Sequence, residues 1–404
     1  MRKKIGWFLL MLITNTNAQN IKTIQLSPLQ EKNFSSIVPL GTILELSFDD
    51  LEADSKNYYY KIEHMTHDWK PSRISSNQYI NGFQKNNIIN ANNSFNTLQN
   101  YTHYSVQIPN QNTIITKSGN YLVSILDAYD EFVFSRRFTI YEQSTIIAVN
   151  PQRSRNTKTF GEQQTVEFTV NHPNLRINNP NQEIKVVVLQ NLNWVTAKTN
   201  LQPTFFKPNQ LVYSYTKNSN FWGGNEYLNF DTKIIRNNSF NIRLIEKKEV
   251  YYHYLYPFQY IENPKYTFSP DINGQFVVRT LEAGNPETEA DYAVMNFSLN
   301  VQEAFANKEV YVYGAFNNFE TTEENKMSYD ENSRQYSASI LLKQGFYNYT
   351  FATKDGNKKV DIGFITGNFY QTENEYTVLV YFKPFAGLFE RVVGVGSAIF
   401  NGER

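Results

Sequence analysis

An all-β chain of tandem sandwich domains is predicted, and three observations carry that expectation. Strand-like runs alternate apolar and polar residues with period 2, which puts one set on a buried sheet face and the other toward water. Aromatic residues make up 15% of the chain, with 28 Tyr and 30 Phe, a load that suits pleated, half-buried surfaces. No long helical period and no short solenoid-type repeat competes with this pattern. At 404 residues the chain is long enough for two to four domains, each burying its own core.

The densest signals stand in residues 41–69. Leu44, Leu46 and Phe48 alternate with Glu45, Ser47 and Asp49, and Tyr58, Tyr60 and Ile62 alternate with Tyr59, Lys61 and Glu63. An acidic turn from Asp49 to Asp54 joins the two runs, so a β-hairpin is expected here.

The N-terminus reads as a secretory signal peptide over residues 1–18. Arg2, Lys3 and Lys4 form its basic start, Ile5 to Ile13 its apolar stretch, and cleavage after Ala18 fits the small-residue rule. That apolar stretch is too short for a bilayer, which takes about 20 residues. With no cysteine in the chain, a lipidated anchor is excluded, and the expectation is an exported, periplasmic protein. A disulfide framework, a thiol nucleophile and a Cys-ligated metal are excluded with it.

Residues 19–143 form the first expected domain. After the hairpin, Lys70 to Asn100 is long, polar and irregular, the kind of segment that often carries binding. Strand runs resume at Thr102–Ile108, Gly119–Asp127 and Glu131–Tyr141. Short strands at this spacing suggest an immunoglobulin-like sandwich. A second domain is expected over 144–265, with strands at Thr165–Val170, Glu183–Leu189, Leu211–Tyr215 and Val250–Tyr256. The third covers 266–404. It holds an acidic internal loop at 281–291, a hairpin of Tyr336–Leu342 with Gly345–Thr353, and a last strand at Tyr376–Phe382.

Chemistry is hard to find. Lys+Arg (38) balance Asp+Glu (38), and a neutral chain lacks the basic face that phosphate backbones require. No nucleophile elbow, Walker A loop or dinucleotide fingerprint occurs. His64 and His67 have a zinc-like spacing, but on a strand they face opposite sides, Asp68 is a poor third ligand because it is adjacent to His67, and His103 is distant in sequence. Asp49, Asp50, Glu52 and Asp54 could offer oxygens to calcium, yet the EF-hand order is missing, and a solvated turn or partner contact is the better reading. Nothing selects a carboxylate pair for glycoside hydrolysis. No catalytic, cofactor-binding or metal residue is assigned, and no small-molecule substrate or membrane insertion is expected.

Two resemblances sharpen this. The stretch EVYVYGAFNNF, followed by GFYNYTFATKDG, resembles the early-set sandwich of glycogen-binding modules. There tryptophans stack on sugars; here Phe319 stands at the first such position and no tryptophan follows the Asp-Gly turn. An exported carbohydrate-binding protein is the alternative reading this leaves, with an exposed ring platform near Phe319 and Tyr347 as its signature.

The broader resemblance runs over roughly residues 20–396. LELSFDDLEADSKNYYYKIEHMTHDW, VEFTVNHPNLRINNPNQEIKVVVLQNLNW, GGNEYLNFDTK, TEADYAVMNFSL and FYQTENEYTVLVYFKPF, in this order and spacing, resemble the plug protein of the bacterial type IX secretion system. The resemblance implies a non-catalytic subunit without cofactor. It would bind the periplasmic side of the giant outer-membrane β-barrel translocon and seal it when no substrate is engaged. No motif gives the contact surface. Aromatic loop residues are the physical candidates: Tyr79 and Phe83 in the first domain, Phe221 and Trp222 in the second, with Trp222 foremost because Trp, Tyr and Arg anchor interfaces. The acidic turn, Asp49, Asp50, Glu52 and Asp54, is the second candidate surface.

Overall fold

The computed structural model describes residues 20–30, 33–199, 201–214, 217–357 and 359–402. The expected signal peptide therefore lies outside the described residues. Within them about half of the residues lie in strands, and the two α-helices have four residues each, Pro180–Glu183 and Pro286–Glu289. No helix among the described residues is long and apolar enough to cross a membrane.

The first sandwich pairs two antiparallel-dominated sheets. One runs Ile21–Pro28, Leu44–Asp50, Thr102–Ile108, Asn90–Asn93; the other runs Ile37–Pro39, Phe132–Tyr141, Gly119–Leu126, Tyr59–Met65, Lys85–Asn87. The alternation in Leu44–Asp50 and Tyr59–Met65 is real, since Leu44, Leu46, Phe48, Tyr60 and Ile62 are all buried. The expected hairpin is not. The two strands belong to different sheets and meet face to face across the core. Phe48 stacks on Tyr104 of its own sheet (centroids 5.2 Å apart) and meets Phe134 of the other edge-on at 5.1 Å. Period 2 tells which side of a strand is buried, not which strand lies beside it.

The middle sandwich has one sheet of Ile146–Arg153, Gln163–Asn171, Gln210–Tyr213 and Phe205–Lys207, with Asn220–Trp222 paired to Gln163–Thr165. Its facing sheet is Asn193–Thr199, Ile184–Gln190, Asn374–Phe382, Arg391–Phe400. Two strands from the end of the chain thus complete it, so the strand pairing does not follow the boundary expected at residue 265. The reason is burial on both faces. In Asn374–Phe382, Val378 and Val380 enter the core of the middle sandwich, while Leu379 and Tyr381 form a second cluster with Val187, Leu189 and Ile37. A strand buried on both faces needs neighbours along both edges as well.

The third sandwich is a single folded-over sheet. Its path is Leu228–Asp231, Gly345–Asp355, Lys308–Tyr313, Lys326–Asp330, Gln335–Lys343, Tyr292–Asn300, Tyr251–Leu255, Ile242–Lys247. It bends where Lys308–Tyr313 meets Lys326–Asp330 through only Val310↔Met327 and Tyr311↔Lys326. The hairpin expected at Lys343-Gln344 is a corner between the layers, because Gln335–Lys343 and Gly345–Asp355 are not neighbours. Strands from 228 to 255 belong here too. The third sandwich is therefore nested within the chain of the middle one.

Candidate functional site

The three bodies are joined by buried polar contacts rather than by flexible linkers. Asp49 is fully buried at the end of Leu44–Asp50, facing the third sandwich. Its Oδ2 accepts from Lys343 Nζ and Tyr292 O–H, each at 2.7 Å, and its Oδ1 lies 2.6 Å from His103 Nδ1. Lys343 also sits 4.1 Å from the Tyr101 ring centroid. Burial holds its ammonium below the usual lysine range, and the Asp49 charge opposes that shift. Backbone N–H groups of Leu98 and Gln99 donate to the Asp291 carboxylate, at 2.7 and 3.1 Å.

The first and middle sandwiches meet at Tyr381, whose O–H donates to Asn120 Oδ1 at 2.9 Å, and at His67, which lies 3.0 Å from Glu390. Middle and third meet where Asn193 Nδ2 donates to Tyr313 at 3.2 Å. Nearby, Glu226 accepts from the Tyr266 hydroxyl and the Glu373 N–H, and Asp271 accepts from the N–H groups of Tyr227 and Asn273. Burial pushes Glu226 up to about 7 and Asp271 up to about 6.

The eight sequence-proposed contact residues divide. Trp222 and Phe83 are exposed, at 45% and 68%, and Glu52 and Asp54 are exposed as well. Phe221 and Tyr79 are buried, at 2% and 3%. Phe221 points from an edge strand into the middle core against Tyr376, and Tyr79 packs on Tyr121 and His64. Asp49 and Asp50 are buried too, which corrects the picture of a wholly solvated acidic turn. Asp50 builds that turn from inside, accepting from the Glu52 N–H (3.0 Å), Lys56 Nζ (2.9 Å) and Tyr58 O–H (2.8 Å). None of these four buried side chains can meet a partner in this conformation.

The two histidines diverge. His64 is buried, with Nδ1 2.6 Å from Ser72 Oγ, and burial pushes it down to about 4. His67 reaches Glu390 instead. Among the described residues no group of three His, Asp or Glu could hold a metal ion. Phe319 and Tyr347 are both buried, so the ring platform expected of a sugar-binding module is not formed by them. Phe319 packs on Tyr313, and Tyr347 stacks between Phe230 and Phe276.

Sequence reasoning missed a cleft where the three bodies converge. It encloses about 490 Å³ and is lined by Arg136, Arg137, Trp69, Trp194, Phe276 and Phe319, among others. Arg137 lies 4.7 Å over the Trp69 ring, and Trp69 meets Trp194 edge-on at 4.8 Å.

Fold and junctions together define an all-β protein of cross-locked sandwiches. Its residues 21–142 match the family profile described as type 9 secretion system plug protein first domain. A crystal structure at 2.30 Å resolution of a hypothetical protein from Parabacteroides merdae ATCC 43184 superposes with a TM-score of 0.91 at 30% identity, over 95% of this chain and 98% of that one. The BSP domain of a biofilm associated protein, 8% identical over 99% of this chain and 61% of that one, reaches a TM-score of only 0.18 and carries no argument. No curated protein matches. The chain belongs to the type 9 secretion system plug protein family, a family of secretion components rather than of enzymes.

Proposed function

We propose that this chain is a non-catalytic plug. It binds the periplasmic side of the giant outer-membrane β-barrel translocon of type IX secretion and closes the pore while no substrate is engaged. The family match over residues 21–142 is the observation that supports this reading. The cross-locked build agrees with it, because a stopper has to keep its shape under load. Three sandwiches tied by buried contacts such as Asp49–Lys343 and Asn120–Tyr381 resist hinge motion better than domains on open linkers. Release needs no chemistry. It needs a second state of the barrel that binds the plug less well.

Trp222 and Phe83 are the aromatic contact candidates that remain on the surface, with Glu52 and Asp54 as the acidic pair. The test is capture of the tagged mature protein from detergent-solubilised outer membrane of cells with an intact secretion system. The barrel should co-elute when the cells lack engaged substrate. Its absence from the eluate would sink the proposal.

A further inference from the structure

The cleft between the three bodies brings two arginines together against a single carboxylate, Glu320. Arg136 Nη1 donates to the Ser135 carbonyl at 2.9 Å, and its guanidinium faces the Phe134 ring at 5.6 Å. Among the described residues neither Arg136 nor Arg137 forms an ion pair. Glu320 also lines the cleft, but it accepts from Asn318 Nδ2 at 2.6 Å rather than from either arginine. Burial depresses both guanidinium pKa values, Arg136 to about 10, and the Glu320 charge opposes the shift. Arg137 keeps an exposed side, while the half-buried Arg136 cation gains from a further anion beside it.

A second observation is the backbone of the cleft wall. Trp69 has φ +62°, and Leu192 and Phe319, also on the cleft wall, have φ +59° and +55°. Bulky residues in the left-handed region are costly and cluster where ligands are held.

A third observation says what shape the occupant has. Ile24, Gln25, Leu26 and Ser27 line the cleft and belong to Ile21–Pro28, the edge strand of the first sandwich. Among the described residues only its Leu44–Asp50 side is paired, so the other side offers backbone N–H and C=O groups to a segment lying along it.

We propose that this cleft binds an acidic peptide segment in extended conformation. The segment adds along the free edge of Ile21–Pro28, seats a carboxylate on Arg136 and Arg137, and places an apolar side chain against Trp194 and Phe276. Guanidinium groups suit carboxylates because their planar forks match two oxygens at once. The volume is in the range of sites that take a few residues or a small molecule. The proposal is independent of pore sealing: it assigns a recognition site wherever the protein acts.

A random-sequence octapeptide library selected on the purified chain is the test. Selected sequences should be enriched in Asp or Glu alternating with apolar residues. The best of them should change the fluorescence of Trp69 and Trp194 on binding. Arg136→Gln/Arg137→Gln should weaken that peptide at least ~30-fold. Arg136→Lys should retain part of the affinity, and Phe240→Ala, far out on an exposed turn, should retain all of it. Unchanged thermal midpoints in the variants separate lost binding from lost folding. A selection without acidic enrichment overturns the proposal, as does a selected peptide that binds the double variant as well as the parent. Inorganic phosphate or acetate displacing the peptide at equal concentration also overturns it, because the cleft would then hold a free anion and not a strand.

Discussion

Lys343 Nζ stands 2.7 Å from Asp49 Oδ2, joining the third sandwich to the first in a place solvent does not reach. Removing one partner strands the other as an uncompensated buried charge, at a cost of about 3–5 kcal/mol. Lys343→Met and Asp49→Asn should each lower stability on that order. The double substitution should lose less than the sum, because it removes both charges together. Urea denaturation of the four proteins measures the coupling, and strictly additive losses would show that the pair does not act as a unit.

The acidic residues at the middle–third junction give stability a pH dependence of known sign. Burial raises Glu226 from the ordinary 4.5 to about 7, and Asp271 from 3.8 to about 6. The folded state therefore holds more protons than the unfolded chain between these values. Their contribution is full below the ordinary carboxyl range and is lost as pH rises through about 6 to 7. Buried His64 and His253, pushed down from 6.5 to about 4, work in the opposite direction and lose stability as pH falls below 6.5. Between pH 5 and 6.5 the two effects offset each other. In Glu226→Gln/Asp271→Asn the decline toward pH 8 should flatten and the decline toward pH 4.5 should steepen. Thermal midpoints across pH 4.5–8 are the measurement. A profile identical to the parent's would remove these carboxyls as the cause.

Gly223 is fixed by a close approach. A Cβ there would stand 2.0 Å from the Phe369 carbonyl oxygen, on backbone that cannot step aside. Around it, Phe369 N–H donates to Gly224 O at 2.8 Å, and Asn374 Nδ2 donates to Gly223 O at 2.9 Å. Gly223→Ala should cost about 1–3 kcal/mol by overpacking and should expose the 362–373 loop to protease. Limited proteolysis reads this directly; cleavage as slow as in the parent would contradict the crowding.

Surface and core aromatics should behave as opposites. Trp222→Ala and Phe83→Ala should leave stability within about 0.5 kcal/mol and lower recovery of the barrel in the capture experiment. Phe221→Ala and Tyr79→Ala should cost about 3–5 kcal/mol, so weaker capture with them would report unfolding. Charge reversal at Glu52 and Asp54 tests the acidic turn in the same assay. Calorimetry run beside the capture keeps the two causes apart.

Strand positions were legible because alternation is local: Leu44, Leu46 and Phe48 had to share a face, and they do. Partners were not legible, because one alternating strand fits either layer of a sandwich. Leu44–Asp50 and Tyr59–Met65 therefore read as a hairpin until long-range pairing placed them in opposite sheets. Tyr79 and Phe221 stand among polar and glycine-rich neighbours that read as loop, and only the tertiary core reveals that they point inward. Arg136 and Arg137 gave no signal at all. As consecutive residues of Phe132–Tyr141 they fall on opposite sides of the strand and mark no polar face, and it takes elements from the other two sandwiches to form the cleft they line.

The return of Asn374–Phe382 and Arg391–Phe400 to the middle sandwich orders the folding of the chain in time. A chain that emerges N-terminus first can close its first sandwich early. Ile184–Gln190, apolar on both faces, then waits with one edge bare while the whole third sandwich is laid down. That interval is an aggregation hazard of the kind bare edges create. A holdase that covers this strand until the last residues arrive would shorten it. The same topology makes the end of the chain a latch: until it closes, the middle sandwich lacks half of one sheet, and the first has nothing for Asn120 and Ile37 to grip.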